Sequence, residues 1–369
     1  MTTVGIIGAG QLGLMLGEAG RPLGLDFVFL DPGTDPPASR VGPVLNYAFD
    51  DPAGLARLAE ASDIITYEFE NVPVLALAGI DAAIPVFPPA LALEKAQDRL
   101  AEKTLFESLG IPVPAFRAVD SAADLRRAAG EIGLPIVLKT RRFGYDGKGQ
   151  FVVRTADDID RAVEDLGGQD LIAEQWVPFE REVSAIGARS RSGQIARYPL
   201  SENVHDNGIL SQSRAPADDA ELREAACRYL DRLLESLDYV GVLALELFVV
   251  DGELLANEFA PRVHNSGHWT IEGSTTSQFE NHLRAILDMP LGDTGMTGYS
   301  GMLNLIGRMP ADCGPLDTAP WHLHDYGKAA RRGRKLGHAT VVTDSHADRE
   351  TAMSAMQKLL ATGENPHRS

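Results

Sequence analysis

Residues 134–154, LPIVLKTRRFGYDGKGQFVVR, bring together residue types that bind phosphate. Lys139 closes an apolar run. Gly144, Gly147 and Gly149 follow in one loop, Lys148 adds a charge at its tip, and Phe151-Val152-Val153 returns as an apolar run. Glycines let backbone amides approach an anion closely. A P-loop would read GxxxxGK[ST] and open a helix. Here a strand follows, so the pattern predicts a hairpin flap over phosphates. An ordinary exposed hairpin with basic residues would carry the same composition.

Two glutamates, Glu246 and Glu258, stand inside apolar strands on either side of Asp251-Gly252. A buried carboxylate is costly unless paired or bound to a cation. Parity decides whether the two can cooperate. A two-residue turn at Asp251-Gly252 pairs position 246 with 257 and sends Glu258 to the opposite face; a loop with an odd residue count puts both on one face. The expectation is the odd loop, with both carboxylates aimed at one Mg²⁺ site, since Mg²⁺ combines a few carboxylates with substrate phosphates. Two unrelated strand glutamates in salt bridges are the alternative.

Near the start, Gly8-Ala9-Gly10-Gln11-Leu12-Gly13 fits G-x-G-x-x-G between a strand and a helix, with Asp31 at the end of the next strand. That is the dinucleotide fingerprint on its face. The physics is more general: a tight strand-to-helix turn and a helix N-terminus favour any anion. A mononucleotide phosphate or a purely structural turn would use the same residues.

Other polar residues fall where strands end. Leu171–Gln175 with Trp176 and Val177 reads as a strand running into a connector. His205 precedes the turn cluster Asp206-Asn207-Gly208. Arg262, His264, Asn265 and His268 follow an apolar strand in an irregular segment, and loops on rigid strands are where site residues concentrate. Lys328, Arg331, Arg332, Arg334 and Lys335 are five basic residues in eight positions. They suggest a phosphate site, although such runs are often solvated loops.

The elements that must position these groups are legible in outline. Apolar strands at 4–7, 26–30 and 63–66 alternate with helical patterns, giving a small open parallel sheet. Helical spacing runs over 90–109 and 220–237, and Cys227 in the latter is expected to be a small buried hydrophobe. The chain divides as 1–95, 96–297 and 298–369, an α/β unit, an α+β unit and a small C-terminal unit. Over 369 residues the net charge is −18, from 34 basic and 52 acidic residues. That argues against nucleic-acid and membrane partners. Two cysteines without metal spacing point to a reducing cytoplasm.

Taken in order, these motifs resemble the ATP-grasp superfamily. GAGQLG, the flap GYDGKGQ, Asn203-Val204-His205-Asp206-Asn207-Gly208-Ile209, the run from Asn257 to Thr270 and Gly333-Arg334-Lys335-Leu336-Gly337-His338 narrow the resemblance to the N5-carboxyaminoimidazole ribonucleotide synthetases. The resemblance implies an ATP-grasp fold with a Rossmann-like N-terminal domain and a small C-terminal domain. It implies ATP-dependent carboxylation of 5-aminoimidazole ribonucleotide with bicarbonate, in a homodimer, with ATP and Mg²⁺ but neither NAD nor biotin. By the same carry-over, Arg99, Lys139, the flap Gly144, Tyr145, Asp146, Gly147, Lys148, Gly149 and Gln150, then Glu174, Gln175, Trp176, Val177, Glu182, His205, Asn257 and Glu258 contact ATP. Glu246 and Glu258 hold Mg²⁺. Gln11, Leu12, Tyr145, Asp146, Arg262, His264, Asn265, Lys328, Arg334 and Lys335 serve the ribonucleotide and the carboxylation, with Asp146, Arg262, His264 and Lys139 catalytic. One departure stands out: many ATP-grasp enzymes carry asparagine two residues after the second glutamate, and here that residue is Ala260. Formate-dependent glycinamide ribonucleotide transformylase, biotin carboxylase, an NAD-dependent dehydrogenase and a non-catalytic nucleotide binder are the competing readings.

Overall fold

A computed structural model describes residues 1–77, 80, 84–144, 148–167, 169–217, 219–310 and 321–362. Among these residues the chain forms three sheets. The first is parallel, in the order Val44–Leu45, Asp26–Leu30, Thr3–Ile7, Ile64–Tyr67. Its three longer strands are buried almost throughout because helices cover both faces.

The expected fingerprint turn is present, and its anion cradle is occupied by the chain itself. Glu68, just past the strand Ile64–Tyr67, accepts the Gly10 and Gly13 amides at 2.7 Å each. Asp31 accepts from the Ala9 amide at 3.0 Å and the Gly33 amide at 2.7 Å. A Cβ on Gly10 would meet Glu68 Oε1 at 2.6 Å, and Gly8 holds φ +100, so the carboxylate seats only against glycines. The helix N-terminus that would take a pyrophosphate in a dinucleotide enzyme is thereby neutralised from within.

The second sheet is small and antiparallel, in the order Phe116–Val119, Leu171–Gln175, Ile136–Thr140, Gln150–Val153. One face packs Ile136, Leu138 and Ala173 on the helices Ala122–Ile132 and Asp158–Leu166. Strand alternation turns Val137 and Lys139 to the other face.

The third sheet has nine strands. Glu253–Ala260 lies at one edge, followed by Gly241–Val250, Arg181–Arg189, Ser201–Asp206, Ile209–Ala215, Tyr299–Ile306, Lys335–Thr343 and Trp321–Asp325, with Ile195–Arg197 beside Arg181–Arg189. The C-terminal strands thus extend the central sheet. Leu243, Leu245, Leu247 and Val249 pack one face under the helix Ala220–Ser236. Val242 and Ala244, of opposite parity, join a core with Leu12, Met15, Phe279 and Leu283 that locks the N-terminal unit onto the sheet. Thr66 Oγ1 lies 2.9 Å from His282 Nε2 across that junction.

Two local expectations are corrected. The helical run 90–109 breaks into Ala90–Ala96 and Arg99–Ser108, because Asp98 caps the second helix through the Leu100 and Ala101 amides. Cys227 is half-buried, on the flank of its helix rather than in the core.

Removing the Glu68 carboxylate strands two amides at the helix start. E68A is expected to lower unfolding stability by about 2 kcal/mol or more, measured by urea denaturation, and E68Q, which keeps an acceptor, by less.

Candidate active site

The antiparallel sheet and the exposed part of the central sheet face each other across a cavity of about 720 Å³. Lys139 projects from the small sheet, and its Nζ donates to Glu174 Oε2 at 2.9 Å. Glu174, on the neighbouring strand, is 3% exposed and also lies 3.6 Å from the Lys103 ammonium. Burial pushes the Glu174 carboxyl up, but Lys103, Lys139 and Arg99 outweigh it and hold the group at about 2.

Across the cleft, Glu246 shares its sheet face with Val242 and Ala244, at the point where that face opens into the cavity. The turn is not the expected odd loop. Val250 pairs with Glu253, so Asp251-Gly252 is a two-residue turn with φ of 50 and 77, the left-handed pair of a tight hairpin. Parity is restored beyond three further regular pairs. Leu247 pairs with Ala256, the register then shifts by one, and Glu246 pairs with Glu258. Asn257 is the extra residue of a β-bulge. Directly opposed residues of an antiparallel pair share a face, so the two carboxylates stand side by side, which is the geometry expected from the sequence, by a different device.

That pairing is electrostatically tense. Burial, and after it the Glu258 charge, raise the Glu246 carboxyl to about 7. Arg99 Nη1 donates to Glu258 Oε2 at 3.0 Å. Two crowded carboxylates are a donor set suited to a hard divalent cation. Among the described residues no group of three or more His, Cys, Asp or Glu side chains is arranged to hold a metal. With Ala260 offering no oxygen, phosphate and water would have to complete the shell of a cation held by Glu246 and Glu258.

The remaining residues group by wall. Gln175, Trp176 and Val177 line the cavity beside Phe179 and Phe248, whose rings stack at 4.7 Å. His205, on the strand Ser201–Asp206, has Nδ1 2.6 Å from Glu182 Oε2. Burial lowers its pKa, but Glu182 and Glu246 outweigh that and raise it. Gly144, Lys148 and Gln150 line the cavity from the flap, and Gly149, at φ +71, would drive a Cβ to 2.6 Å from Thr140 Oγ1. Tyr145, Asp146 and Gly147 lie outside the described residues.

At the far end, Gln11, Leu12, Arg262, His264, Asn265 and Lys335 line the same space. Arg262 is not an open anion receptor: it forms a tight ion pair with Glu70 and donates to the Val263 carbonyl at 3.1 Å. Burial raises the Glu70 carboxyl, yet Arg262 holds it at about 2. Burial, then Arg262 and Lys335, push the His264 imidazole well below its usual range, and its Nε2 lies 3.5 Å from Glu246 Oε1. Lys328 does not line the cavity but bonds to Gln11. Arg334 does not line it either, and donates to the Ala329 carbonyl at 3.3 Å.

Sequence reasoning passed over Glu70, Glu102 and Lys103. Glu102 and Glu70 line the cavity, and Lys103 is fully buried beside it. Glu102 accepts the Phe259 amide at 2.7 Å, and burial, with the Glu258 charge next, raises it to about 8. An acid in the turn after a strand was the available sign for Glu70. Nothing local marks Glu102 or Lys103.

Two sheets closing on a cleft, with a lysine and glycine flap on one and a carboxylate hairpin on the other, define an ATP-grasp enzyme. Family models agree: the ATP-grasp domain matches residues 104–279, the ribonucleotide synthetase preATP-grasp domain 1–97, and the phosphoribosylaminoimidazole carboxylase C-terminal domain 300–352. The N5-carboxyaminoimidazole ribonucleotide synthase of Pseudomonas aeruginosa is 49% identical over 97% of this chain and 99% of its own length. The crystal structure of the synthetase from Thermus thermophilus superposes with TM-score 0.92 at 50% identity, covering 98% of this chain and 99% of that one. The Aspergillus clavatus enzyme in complex with ADP and 5-aminoimidazole ribonucleotide gives 0.90 at 30% identity, covering 98% and 99%. The chain belongs to the N5-carboxyaminoimidazole ribonucleotide synthase family of ATP-grasp ligases. No helix among the described residues is long and apolar enough to cross a membrane.

A raised carboxyl favours the folded state while protonated. The Glu246 contribution is therefore full below its ordinary 4.5 and is lost as pH rises through about 7. In metal-free protein the melting temperature of E246Q should gain on that of wild type as pH rises from 5 to 7.5 and hold level above, read by thermal denaturation in EDTA. A constant difference would show that Glu246 titrates normally.

Proposed function

We propose that this ligase carboxylates 5-aminoimidazole ribonucleotide at its exocyclic amine, using bicarbonate and ATP, and releases N5-carboxyaminoimidazole ribonucleotide, ADP and phosphate. The reading is supported above all by the juxtaposition of Lys139, anchored on Glu174, with the Glu246 and Glu258 pair opposite. Arg262, His264 and Lys335 lie beyond that pair in the same cavity.

Bicarbonate is a weak nucleophile and the triphosphate repels it. In the first step a bicarbonate oxygen bonds to the γ-phosphorus, the bond to the bridging oxygen breaks, and ADP leaves. Lys139 and the flap amides neutralise charge on the transferring group. Glu246 and Glu258 would hold Mg²⁺, which would supply further neutralisation of that charge. The two Arg262 N–H groups left over from Glu70 and Val263 are available to orient bicarbonate. In the second step the amine attacks the carbonyl carbon of carboxyphosphate, or CO₂ released from it. Phosphate departs, and Asp146 orients the amine or takes its proton.

Gln175 to Val177 would offer backbone to the adenine edge, Arg99, Asn257 and His205 would contact ATP, and Glu182 would accept from ribose hydroxyls. Gln11, Leu12, Asn265 and the C-terminal cations would take the ribonucleotide. A closed flap keeps water from carboxyphosphate. Synthesis of a purine precursor from these substrates fits a cytoplasmic enzyme, and family resemblance adds a homodimer.

Phosphate release from ATP and Mg²⁺ should rise strongly when 5-aminoimidazole ribonucleotide is added to bicarbonate, and not when formate replaces bicarbonate. E258Q should lower turnover by about a hundredfold or more with the fold intact. Release that ignores the ribonucleotide, or normal turnover in E258Q, would contradict this assignment.

A further inference from the structure

The carboxylate pair depends on a bulge in an edge strand, and bulged edges need partners for their main-chain groups. The helix Arg99–Ser108 lies along that edge and supplies them. Lys103, with a side chain 0% exposed, donates from Nζ to the Asn257 carbonyl at 2.6 Å and the Ala256 carbonyl at 3.3 Å. Glu102, the preceding residue of the helix, accepts the Phe259 amide on its Oε1 at 2.7 Å. The Ala256 amide, on the other side of the bulge, donates to the Pro112 carbonyl at 2.7 Å. Every one of these bonds falls within residues 256–259, the stretch over which the register changes.

We infer that Lys103 and Glu102 are positioning residues that clamp the Asn257 bulge and so hold Glu258 opposite Glu246 for the metal. This rests on the proposed reading of the two glutamates as cation ligands. Three N–H groups are all an ammonium has, and Lys103 has three acceptors around it: two carbonyls at the bulge and Glu174, 3.6 Å away. The same side chain therefore joins the carboxylate hairpin to the sheet that carries Lys139. An ordinary buried lysine would have no reason to choose both carbonyls flanking an inserted residue. Without the clamp, the edge strand can relax toward the regular register of its two-residue turn. In that register Asn257 faces Glu246, and Glu258 points to the opposite side.

ADP affinity by calorimetry, with Mg²⁺ and in EDTA, separates the possibilities for wild type, K103M, E102L, E102Q and E258Q. The clamp predicts that K103M and E102L lose the Mg²⁺-dependent gain in affinity by about tenfold or more while keeping the affinity seen in EDTA. E102Q, which keeps an acceptor for Phe259, should retain the gain. Amide hydrogen exchange at Asn257 and Phe259 should speed up in K103M and E102L alone. If K103M does not fold, E102L against E102Q carries the test. Equal losses with and without Mg²⁺ would mean that Lys103 acts through Glu174 on the nucleotide, and would overturn the inference. So would an intact Mg²⁺ gain with unchanged exchange in both variants. If wild type shows no Mg²⁺ gain, or E258Q keeps it, the carboxylate reading itself fails and takes the inference with it.

Discussion

Repulsion among carboxylates gathered in one cleft is the constraint around which the site is built. Glu102, Glu174 and Glu246 are gathered, with Glu258 beside them, where burial favours the neutral forms of the first three. The chain resolves this differently on the two walls. Glu174 is surrounded by Lys103, Lys139 and Arg99 and stays ionised, held at about 2. On the other wall, burial with the neighbouring Glu258 raises Glu246 to about 7. A cleft with a fixed cation on one side and two adjacent carboxylates on the other suits a triphosphate that arrives with its own metal.

The rest of the fold keeps these walls in place. Small apolar residues on one face of the strand Gly241–Val250 bind the N-terminal unit to the sheet, and leucines on the other face bind a long helix. Between them the strand's alternation is fixed, which leaves Glu246 one direction to point. The N-terminal unit contributes its own device. Its glycine turn takes an internal carboxylate, Glu68, where a dinucleotide enzyme would take phosphate, so an anion-binding geometry serves as a structural joint.

Much of this was legible in the sequence because it is local. The apolar run ending at Lys139 marked a strand that carries a lysine lining the cavity, and the glycines of GAGQLG marked a turn that the structure contains. The bulge was also written in the chain. Leu254, Ala256 and Phe259 all enter one core cluster, and the change from even to odd parity between 256 and 259 marks an inserted residue. Attention to the turn alone missed it. What stayed hidden is long-range: Glu68 serves amides 58 and 55 residues away, and Arg262 finds Glu70 across 192. The Lys103 contacts at the bulge span 153 and 154 residues. No periodicity announces such partners, since only the packed chain brings them together.

The central claim is that one cation sits between Glu246 and Glu258. The most direct test is a crystal of the ADP complex grown with Mn²⁺, with the ion located by its anomalous scattering. The account predicts a peak between the two carboxylates, within bonding distance of an oxygen of each, with phosphate oxygens completing the shell. A peak held by other side chains, or by phosphate alone with either glutamate turned away, would contradict it.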